Sequence, residues 1–553
     1  MTELIVRTEK LGGSALAAAA MAGQAARWYD RRPENAAAWT ARAEAIRAGT
    51  KDMSWFDALR PALEATGTAA ARLDRVAGGR GVVVTTGQQP GLFGGPMYTW
   101  SKALSALALA DEVEAATGVP AAPVFWAATD DADFAEASWT AVALTGGAER
   151  LFVPAGAAVG RPMAEMPLGD PTAALESFVR SCGATVDSAV IEAVRDAYRA
   201  GATVGGAYVQ LLRRLFEPLG IAVLDAAHPS VSASTRTLLV RALDRAGDVA
   251  DALRQRDAEI AAGGYAAQVT EVEGLSLVFE RTGAGGDKRR IPIAEAKAAI
   301  ASRRGVLSPN VLLRPVIERA LLPTVSYVAG PGEISYFAQV SAVADALGLE
   351  RPLVVPRWST TILEPHVLRI LEGLGIEEAE LADPHRAERR LATEHVPRAV
   401  SQSLDALRRD VERHTHTMTT ASIDSGFGVS PSVFDGARRA MSHRLERLER
   451  RVVAAVKRRE HETMLKIATA RGALYPLGTR QERALNLLPI LARHGAVVLA
   501  RMRTGAGTHA RALIGTAVTH DRAEDSPTPA SRPTLGAPVN GPGAAEGSRV
   551  IDA

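Results

Sequence analysis

Two short apolar runs, each followed by a polar loop, constrain the fold of this chain more than any other feature. Val82–Val84 leads into the glycine-rich segment Thr85–Gly95, and a helix is predicted to begin near Pro96. Val124–Trp126 is the second run, and it is followed by three aspartates: Asp130, Asp131 and Asp133. The order strand, loop, helix, strand predicts parallel strands whose loops lie at one edge of a sheet, where small charged molecules are usually bound.

Similar apolar runs recur along the chain and alternate with helical segments. They are Ile221–Leu224, Thr324–Val328 and Pro352–Pro356. This alternation is typical of an α/β protein with a parallel sheet. The long stretches 134–220 and 227–310 are predicted to be insertions into that sheet. The second insertion is predicted to contain a hairpin formed by Leu275–Glu280 and Arg290–Pro292, with a turn at Gly283–Asp287.

Two heptad-patterned segments lie beyond residue 377 and predict an antiparallel coiled-coil hairpin. The repeating positions of the first are Val400, Leu404, Leu407, Val411, His414 and Met418. Those of the second are Met441, Leu445, Leu448, Val452 and Ala455. Arg and Glu crowd the flanking positions, which favours a salt-bridged solvated surface over a nucleic-acid-binding helix. The hairpin is therefore predicted to form a dimer.

Composition limits the classes of protein that this chain can represent. Its 553 residues are too many for one hydrophobic core, so several domains or large insertions are expected. Lys and Arg number 64 against 62 Asp and Glu, and this balance argues against a nucleic-acid partner. Cys182 is the single cysteine, which excludes intrachain disulfides and favours the reducing cytoplasm. No apolar run approaches the roughly 18 residues that span a bilayer.

The glycine-rich loop is a candidate anion site. Its backbone N–H groups, together with the N-terminus of the following helix, can bind an anion. Lys102 lies about two turns into that helix and could reach a phosphate or a carboxylate. A tight turn with a surface lysine explains the same spacing equally well. The loop matches neither a Walker A loop nor a GxGxxG fingerprint.

The three aspartates after the second run are candidates for chemistry. Clustered carboxylates can bind Mg²⁺, accept a proton or bind an ammonium group. The structural alternative is that one of them caps the next helix. Three aspartates in four positions are more than a cap requires.

Polar residues after the later strands complete the predicted site. They are Arg314, Gly330, Gly332, Glu333, Tyr336, Gln339, Arg357 and Ser359. An arginine at a strand end suits a carboxylate or a phosphate. For each arginine taken singly, the alternative is a surface salt bridge. In a parallel sheet all these loops converge on one pocket.

Several of these motifs resemble those of the bacillithiol-biosynthesis cysteine-adding enzymes, the BshC family. In chain order they are Thr86–Thr99 with Lys102, Pro123–Trp126 with the acidic cluster, Gly264-Tyr265, Gln268-Val269, Leu312–Pro315, Gly330–Gln339, Pro356-Arg357 with Ser359, Gln481–Arg483 and Asn486–Pro489. The first motif is long and very specific. The resemblance covers most of the chain from Val82 to Gly495.

The resemblance implies a Rossmann-like parallel-sheet core with two inserted connecting segments and an antiparallel α-helical coiled-coil arm that forms a homodimer. It implies a cytoplasmic ligase that joins the carboxyl group of cysteine to the amine of glucosaminyl-malate, the last step of bacillithiol synthesis. ATP with Mg²⁺ would supply the energy if a nucleotide is used. No metal ligand in the protein, no nucleic acid and no membrane partner are predicted.

On this hypothesis the catalytic candidates are Lys102, Asp130, Asp131 and Asp133. The substrate- or nucleotide-binding candidates are Gly87, Gln88, Gln89, Gly91, Gly95, Tyr98, Arg314, Gly330, Gly332, Glu333, Tyr336, Gln339, Arg357 and Ser359. The glycine loop and Lys102 hold a phosphate or a carboxylate. The aspartates bind the cysteine ammonium group, or Mg²⁺ if ATP is used. Arg357 holds the malate carboxylate.

The predicted organisation divides the chain into eight segments. These are N-terminal helices with the first part of the core (1–140), a first insertion (141–215), a core strand and helix (216–248), a second insertion (249–310), the rest of the core (311–376), the coiled-coil arm (377–475), a helical return (476–503) and a disordered tail (504–553).

Ala132 departs from the pattern, because the family usually has a histidine inside the acidic motif. Two other functions are consistent with the same sequence. One is a different nucleotide-using transferase on the same core. The other is a non-catalytic coiled-coil dimer of a thiol pathway, which Ala132 favours and the intact glycine loop, Lys102 and Asp131 argue against.

Overall fold

The computed structural model describes residues 3–50, 54–154, 160–281, 286, 288–302, 305–426 and 428–516. Its strands are β1 (Ile5–Thr8), β2 (Val82–Gln88), β3 (Ala121–Ala127), β4 (Trp139–Leu144), β5 (Gly147–Phe152), β6 (Ala222–Asp225), β7 (Leu275–Arg281), β8 (Arg289–Pro292), β9 (Val306–Pro309), β10 (Thr324–Ala329), β11 (Val354–Pro356) and β12 (Thr360–Leu363).

The first eleven helices are α1 (Ala15–Met21), α2 (Ala36–Gly49), α3 (Ser54–Leu63), α4 (Gly67–Gly79), α5 (Tyr98–Thr117), α6 (Phe134–Ala137), α7 (Thr172–Cys182), α8 (Ala189–Ala197), α9 (Val204–Phe216), α10 (Pro229–Asp244) and α11 (Ala246–Ala262). The rest are α12 (Ala296–Ser302), α13 (Arg314–Leu321), α14 (Pro331–Leu347), α15 (Pro365–Leu374), α16 (Arg386–Glu394), α17 (Arg398–Asp424), α18 (Pro431–Arg459), α19 (His461–Leu474), α20 (Gln481–Ala484), α21 (Leu488–His494) and α22 (Ala496–Ile514).

The centre of the molecule is a five-stranded sheet in the order β11-β10-β2-β3-β6, with every neighbouring pair parallel. Numbered by their order along the chain, its strands lie in the sequence 5-4-1-2-3, which is the Rossmann arrangement. β2, β3 and β10 are buried on both faces, as expected for apolar, β-branched runs in a parallel sheet. The predicted Rossmann-like α/β core is confirmed.

Helix α5 connects β2 to β3, and α14 connects β10 to β11. Both helices are buried around most of their circumference. Because the two connections leave β2 and β10 in opposite directions across the sheet, a crevice opens where these neighbouring strands end. Ligands of open α/β sheets bind at such a switch point.

The two stretches predicted as insertions carry small sheets of their own. The first contains the antiparallel pair β4 and β5, and the second contains the antiparallel sheet β8-β7-β9. The predicted hairpin is confirmed as β7 and β8. A third strand of this sheet, β9, was not predicted from the sequence. Most of the predicted turn, Gly283–Asp287, lies outside the described residues.

Helices α17 and α18 form the predicted antiparallel hairpin. Arg408 pairs with Glu449 at 2.8 Å, and Ser422 donates a hydrogen bond to the Val429 carbonyl at 3.2 Å near the turn. The predicted seam is divided between two faces. Leu404 and Leu445 are half-buried within the hairpin. Four other heptad residues are 36–46% exposed: Leu407, Met418, Met441 and Leu448.

The prediction of a disordered tail from residue 504 is wrong for its first part, because α22 continues to Ile514. Ala506, Ala510 and Ile514 are buried, and α22 packs against α5. A Cβ atom at Gly505 would lie 2.5 Å from the Trp358 ring, so glycine is needed there for close packing. The Gly- and Ala-rich composition thus forms a tightly packed helix. Residues 517–553 lie outside the described residues.

Two further features bear on function. Within the described ranges, no helix is long and apolar enough to cross a membrane. Cys182 is buried, and burial raises the pKa of its thiol to about 11. The thiolate is the reactive form, so this cysteine is structural.

Candidate active site

A cavity of about 690 Å³ lies at the switch point between β2 and β10. Its lining includes most of the predicted site residues: Gly87, Gln88, Gln89, Tyr98, Lys102, Asp130, Asp131, Asp133, Arg314, Gly330, Gly332, Glu333, Tyr336 and Arg357. These predicted residues come from five separate segments of the sequence. The volume is within the range of about 300–1,000 Å³ that small-molecule sites occupy.

Lys102 is at the back of the cavity and is only 2% exposed. Its Nζ atom lies 2.7 Å from Glu333 Oε2 and 3.2 Å from Gln88 Oε1, and it also donates to the Gly87 carbonyl. Lys102 lies one turn into α5, so it reaches the β2 end and α14 together. It is therefore neither a surface lysine nor a free anion ligand. It ties the two strand ends together.

Glu333 completes this network. Tyr327 donates its O–H to Oε1 at 2.6 Å, and the Gly330 N–H donates to Oε2 at 2.7 Å. Burial disfavours the charged carboxylate, but the Lys102 ammonium group and these hydrogen bonds hold the pKa of Glu333 below its ordinary value. Glu333 is thus an anion inside the wall that stabilises the start of α14.

The glycine-rich loop divides into two parts. Residues 87–89 face the cavity, and a Cβ atom on Gly87 would lie 2.7 Å from the Trp126 carbonyl, which explains the glycine there. Gly91 and Gly95 do not line the cavity. A Cβ atom on Gly91 would lie 2.7 Å from the Gly95 Cα, and Asn486 donates to the Gly95 carbonyl at 3.2 Å. These two glycines allow close packing, and the prediction that they cradle a ligand is corrected.

The three aspartates take different positions. Lys288 donates to the Asp130 carbonyl at 2.9 Å and lies 3.8 Å from its carboxylate. Asp131 accepts hydrogen bonds from the Gln89 side chain and from the Ala132 N–H. Asp133 caps α6 by accepting the Glu136 N–H at 3.3 Å. The capping alternative therefore holds for Asp133 alone.

Two carboxyl groups of the cavity have raised pKa values. Burial raises the pKa of Asp130, against the opposing effect of Lys288. Desolvation at the cavity wall, together with the charges of Asp133 and Asp131, raises the pKa of Glu136. A carboxyl group whose pKa is moved toward neutrality is suited to proton transfer.

Arg357 was predicted to hold a substrate carboxylate, but its guanidinium group binds Glu482 through two hydrogen bonds of 2.7 and 2.8 Å. Both side chains are less than 10% exposed. Ser359 is also buried and lies outside the lining, beside Glu482. Arg314 pairs with Glu318 at 2.8 Å. These arginines are held inside the protein rather than free for a ligand.

Among the predicted site residues, Gln339 differs most from the role that was predicted for it. Its amide donates to Asp257 at 2.9 Å and to the Val269 carbonyl at 2.8 Å, and its oxygen accepts the Val269 N–H at 3.1 Å. It fastens the second insertion to α14. The prediction that Gln339 binds a ligand is corrected, because all its polar atoms have partners within the protein.

The cavity is also lined by residues that were not predicted as site residues from the sequence: Glu136, Lys288, Arg483, Phe279 and Asn310. Glu136 follows the aspartates by one helical turn, a spacing that could have identified it. Lys288 comes from the second insertion, and Arg483 belongs to the Gln481–Arg483 motif. Arg483 is exposed to the cavity and, of the lining cations described, is the one with neither an ion pair nor a side-chain hydrogen bond.

The arrangement joins carboxylates on the β3 side to cationic and N–H donors on the β10 and α20 side. The N-terminus of α14 opens toward the cavity, and a Cβ atom on Gly332 would meet nothing within 4 Å. Such a helix start favours an anionic group. Over the described part of the chain, no three His, Cys, Asp or Glu side chains are grouped as metal ligands.

The protein has a Rossmann-like core with two insertions and a helical arm, and a charged cavity lies at the switch point of its sheet. These features are typical of an enzyme that acts on small molecules. Residues 16–358 match the N-terminal Rossmann-like domain of the bacillithiol biosynthesis BshC family, and residues 360–506 match its C-terminal coiled-coil domain. The chain belongs to this BshC family.

Curated relatives agree with this assignment. A protein of Solibacter usitatus is 32% identical over 469 residues, covering 80% of this chain and 86% of the relative. A protein of Koribacter versatilis is 32% identical, covering 86% and 91%. One of Salinibacter ruber is also 32% identical, covering 76% and 80%. All three bear the name "Putative cysteine ligase BshC", which denotes an enzyme that forms carbon–nitrogen bonds.

Proposed function

We propose that this protein joins the carboxyl group of cysteine to the amine of glucosaminyl-malate, the last step of bacillithiol synthesis in the cytoplasm. One observation carries the proposal. A single cavity at the switch point combines carboxylates that suit two amino groups with an unpaired arginine and a helix N-terminus that suit anionic groups. Both substrates carry an amino group and at least one carboxylate.

A carboxylate and an amine do not condense without activation, so a co-reactant must remove the carboxyl oxygen. We propose ATP with Mg²⁺. The cysteine carboxylate attacks the γ-phosphorus, ADP leaves, and an acyl phosphate forms. The amine then attacks the acyl carbon, loses a proton and expels phosphate. The open α14 N-terminus at Gly332 supports a phosphate position there.

The amine must be deprotonated before it attacks. Glu136 is proposed as the base, because it lines the cavity and its pKa is raised. Asp131 is bound by Gln89 and by backbone N–H groups, so it positions the loop. No histidine is present in the described lining, and a carboxylate base fits the alanine at position 132.

The malate carboxylates need cationic partners. Arg483 is proposed for this role instead of Arg357, because the Arg357 guanidinium group is already bound to Glu482. Glu482 and Arg357 then act by positioning α20, which carries Arg483. The bidentate geometry of an arginine suits a dicarboxylate.

The test uses purified protein with cysteine, glucosaminyl-malate, ATP and Mg²⁺, and mass spectrometry to detect the amide product. We expect the amide together with one ADP and one phosphate per product. Formation of AMP and pyrophosphate instead would indicate that the activated intermediate is an acyl adenylate and not an acyl phosphate. Absence of the amide with every nucleoside triphosphate would reject the ligase function and favour another transferase on this core.

A homodimer through the arm is also proposed. On α17 and α18 the exposed residues Leu407, Met418, Met441 and Leu448 lie on the same side of the hairpin, because both sets are offset in the same direction from the internal seam. A second copy would cover this stripe. Light scattering should give a dimer for the native chain and a monomer for a variant with Leu407→Glu and Leu448→Glu. A monomeric native chain would reject the proposal.

A further inference from the structure

A second cavity of about 250 Å³ lies beside the large one. The two cavities share a wall made of Trp126, Asp130, Lys288, Pro309 and Arg314. The remaining walls of the small cavity come from both insertions, from the residues after β6, from α10 and from α13. It is below the size of about 300–1,000 Å³ typical of sites for larger ligands, so it suits a compact molecule.

The charged groups of the shared wall suit a zwitterion. Asp130 offers a carboxylate to an ammonium group, and Lys288 offers a cationic group to a carboxylate. Lys288 lies 3.8 Å from the Asp130 carboxylate, so opposite charges stand side by side. An α-amino acid carries the same two charges on one carbon atom.

Most of the other lining residues of the small cavity are small or apolar: Pro162, Ala164, Ala226, Ala227, Pro229, Val231, Val306, Leu307 and Ile317. Arg281 and Glu165 also line it, but they form an ion pair with each other that links the two insertions. The interior therefore favours a short, uncharged side chain over a charged or long one.

We propose that the small cavity is the cysteine site and that the large cavity holds glucosaminyl-malate. This inference rests on the proposed function. Cysteine would bind with its amino and carboxyl groups at the shared wall and its thiol among the alanines. The carboxyl group would then face the large cavity, where the acceptor amine lies, so the new bond would form at the junction.

The test compares two alanines, one in each cavity. Ala227 lines only the small cavity, and Ala132 lines only the large one. Calorimetry with cysteine alone, glucosaminyl-malate alone and ATP alone measures binding to the native protein, Ala227→Leu and Ala132→Leu. We expect Ala227→Leu to weaken cysteine binding at least tenfold and to leave glucosaminyl-malate unchanged. Ala132→Leu should do the reverse.

Native binding of cysteine with unchanged affinity in Ala227→Leu would overturn the inference, as would loss of ATP binding in that variant alone. If Ala227→Leu lowers the melting temperature strongly, Ser232→Leu, on α10 in the same cavity, replaces it. Because binding is measured without turnover, cysteine binding that Ala227→Leu abolishes supports the site even if no amide forms. In that case the ligase function fails and the amino-acid site stands.

Discussion

Two buried ion-pair networks in this molecule use the same chemistry and have different consequences. Lys102 and Glu333, 2.7 Å apart, form part of the cavity wall. Glu364 is held by Arg493 at 2.8 Å and by His494 at 2.9 Å, outside the lining of that cavity. The second network joins the start of α15 to α21. A buried charge is therefore not by itself a sign of function. We expect an ion pair in the cavity wall to affect activity, and an ion pair away from the cavity to affect stability alone.

Removing the proposed base should give the largest effect on rate. Glu136→Gln keeps the shape of the side chain and removes its proton-accepting ability, so kcat for amide formation should fall roughly 10²–10⁴-fold. Because the pKa of Glu136 is raised and the base must be deprotonated, kcat of the native enzyme should fall as the pH drops, with a midpoint above the ordinary glutamate value. That limb should disappear in the variant. Asp133→Asn, which retains a capping residue, is the control: it should keep its kcat at neutral pH, while the acid limb moves to lower pH because one of the charges that raise the pKa of Glu136 is removed. An unchanged kcat in Glu136→Gln would exclude Glu136 as the base.

Lys102→Met should affect both stability and activity. It leaves the Glu333 carboxylate buried without its cation, which typically costs about 3–5 kcal/mol in the free energy of unfolding. Denaturant unfolding measures this loss. The double variant Lys102→Met with Glu333→Gln should recover much of the stability and none of the activity, since the link between β2 and α14 stays broken. Recovery of activity as well would show that the Lys102–Glu333 pair contributes to stability and not to activity.

Glu364→Gln should lower stability and leave kcat unchanged. Contacts with His494 and Arg493 hold the pKa of Glu364 at about 2 despite its burial. A folded-state pKa below the unfolded value stabilises the fold above pH 4.5, and this contribution is lost as the pH falls toward 2. At pH 7 it is about 3 kcal/mol. The difference between native and variant protein should therefore shrink in acid.

The control for this variant is Glu378→Gln, which removes an exposed pair with Arg7 and should cost less than about 1 kcal/mol. A loss of kcat in Glu364→Gln, measured where both proteins are folded, would contradict the distinction between the two networks.

Arg483→Gln should have the smallest effect of the four. Loss of a charge-assisted hydrogen bond of about 1.5–3 kcal/mol should raise KM for glucosaminyl-malate roughly 10–100-fold. The KM for cysteine and the melting temperature should not change. Arg480→Gln is the matched control, because Arg480 lies three residues away and outside the cavity. Equal effects of the two variants would exclude a specific contact at Arg483.

The core strands and the arm could be predicted from local patterns. A continuous β-branched run such as Val82–Val84 favours a buried strand, and β2 is buried. The heptad spacing on α17 and α18 requires a partner helix. The register between the two helices could not be predicted. Their apolar positions are divided between an internal seam and an exposed stripe, and only the packing of α17 on α18 determines which residue belongs to which.

The site shows the same division. Residue type and position after a strand correctly gathered Gly87, Asp130 and Glu333 at one edge of the sheet. They did not separate Arg357 from Arg483, because both are arginines near a strand end or a short helix. Glu482 neutralises the first and no carboxylate pairs with the second among the described residues. That distinction depends on a partner 125 residues away in the chain.

The sequence by itself therefore determined the α/β class, the helical arm and the family of this protein, because hydrophobic periodicity and short motifs are local properties. Tertiary structure alone decided that Lys102 lies inside the wall, that Gly91 and Gly95 are packing glycines, and that a second cavity adjoins the first. The physical reason is that charge pairing, close backbone approach and cavity shape arise between segments that are distant in the chain.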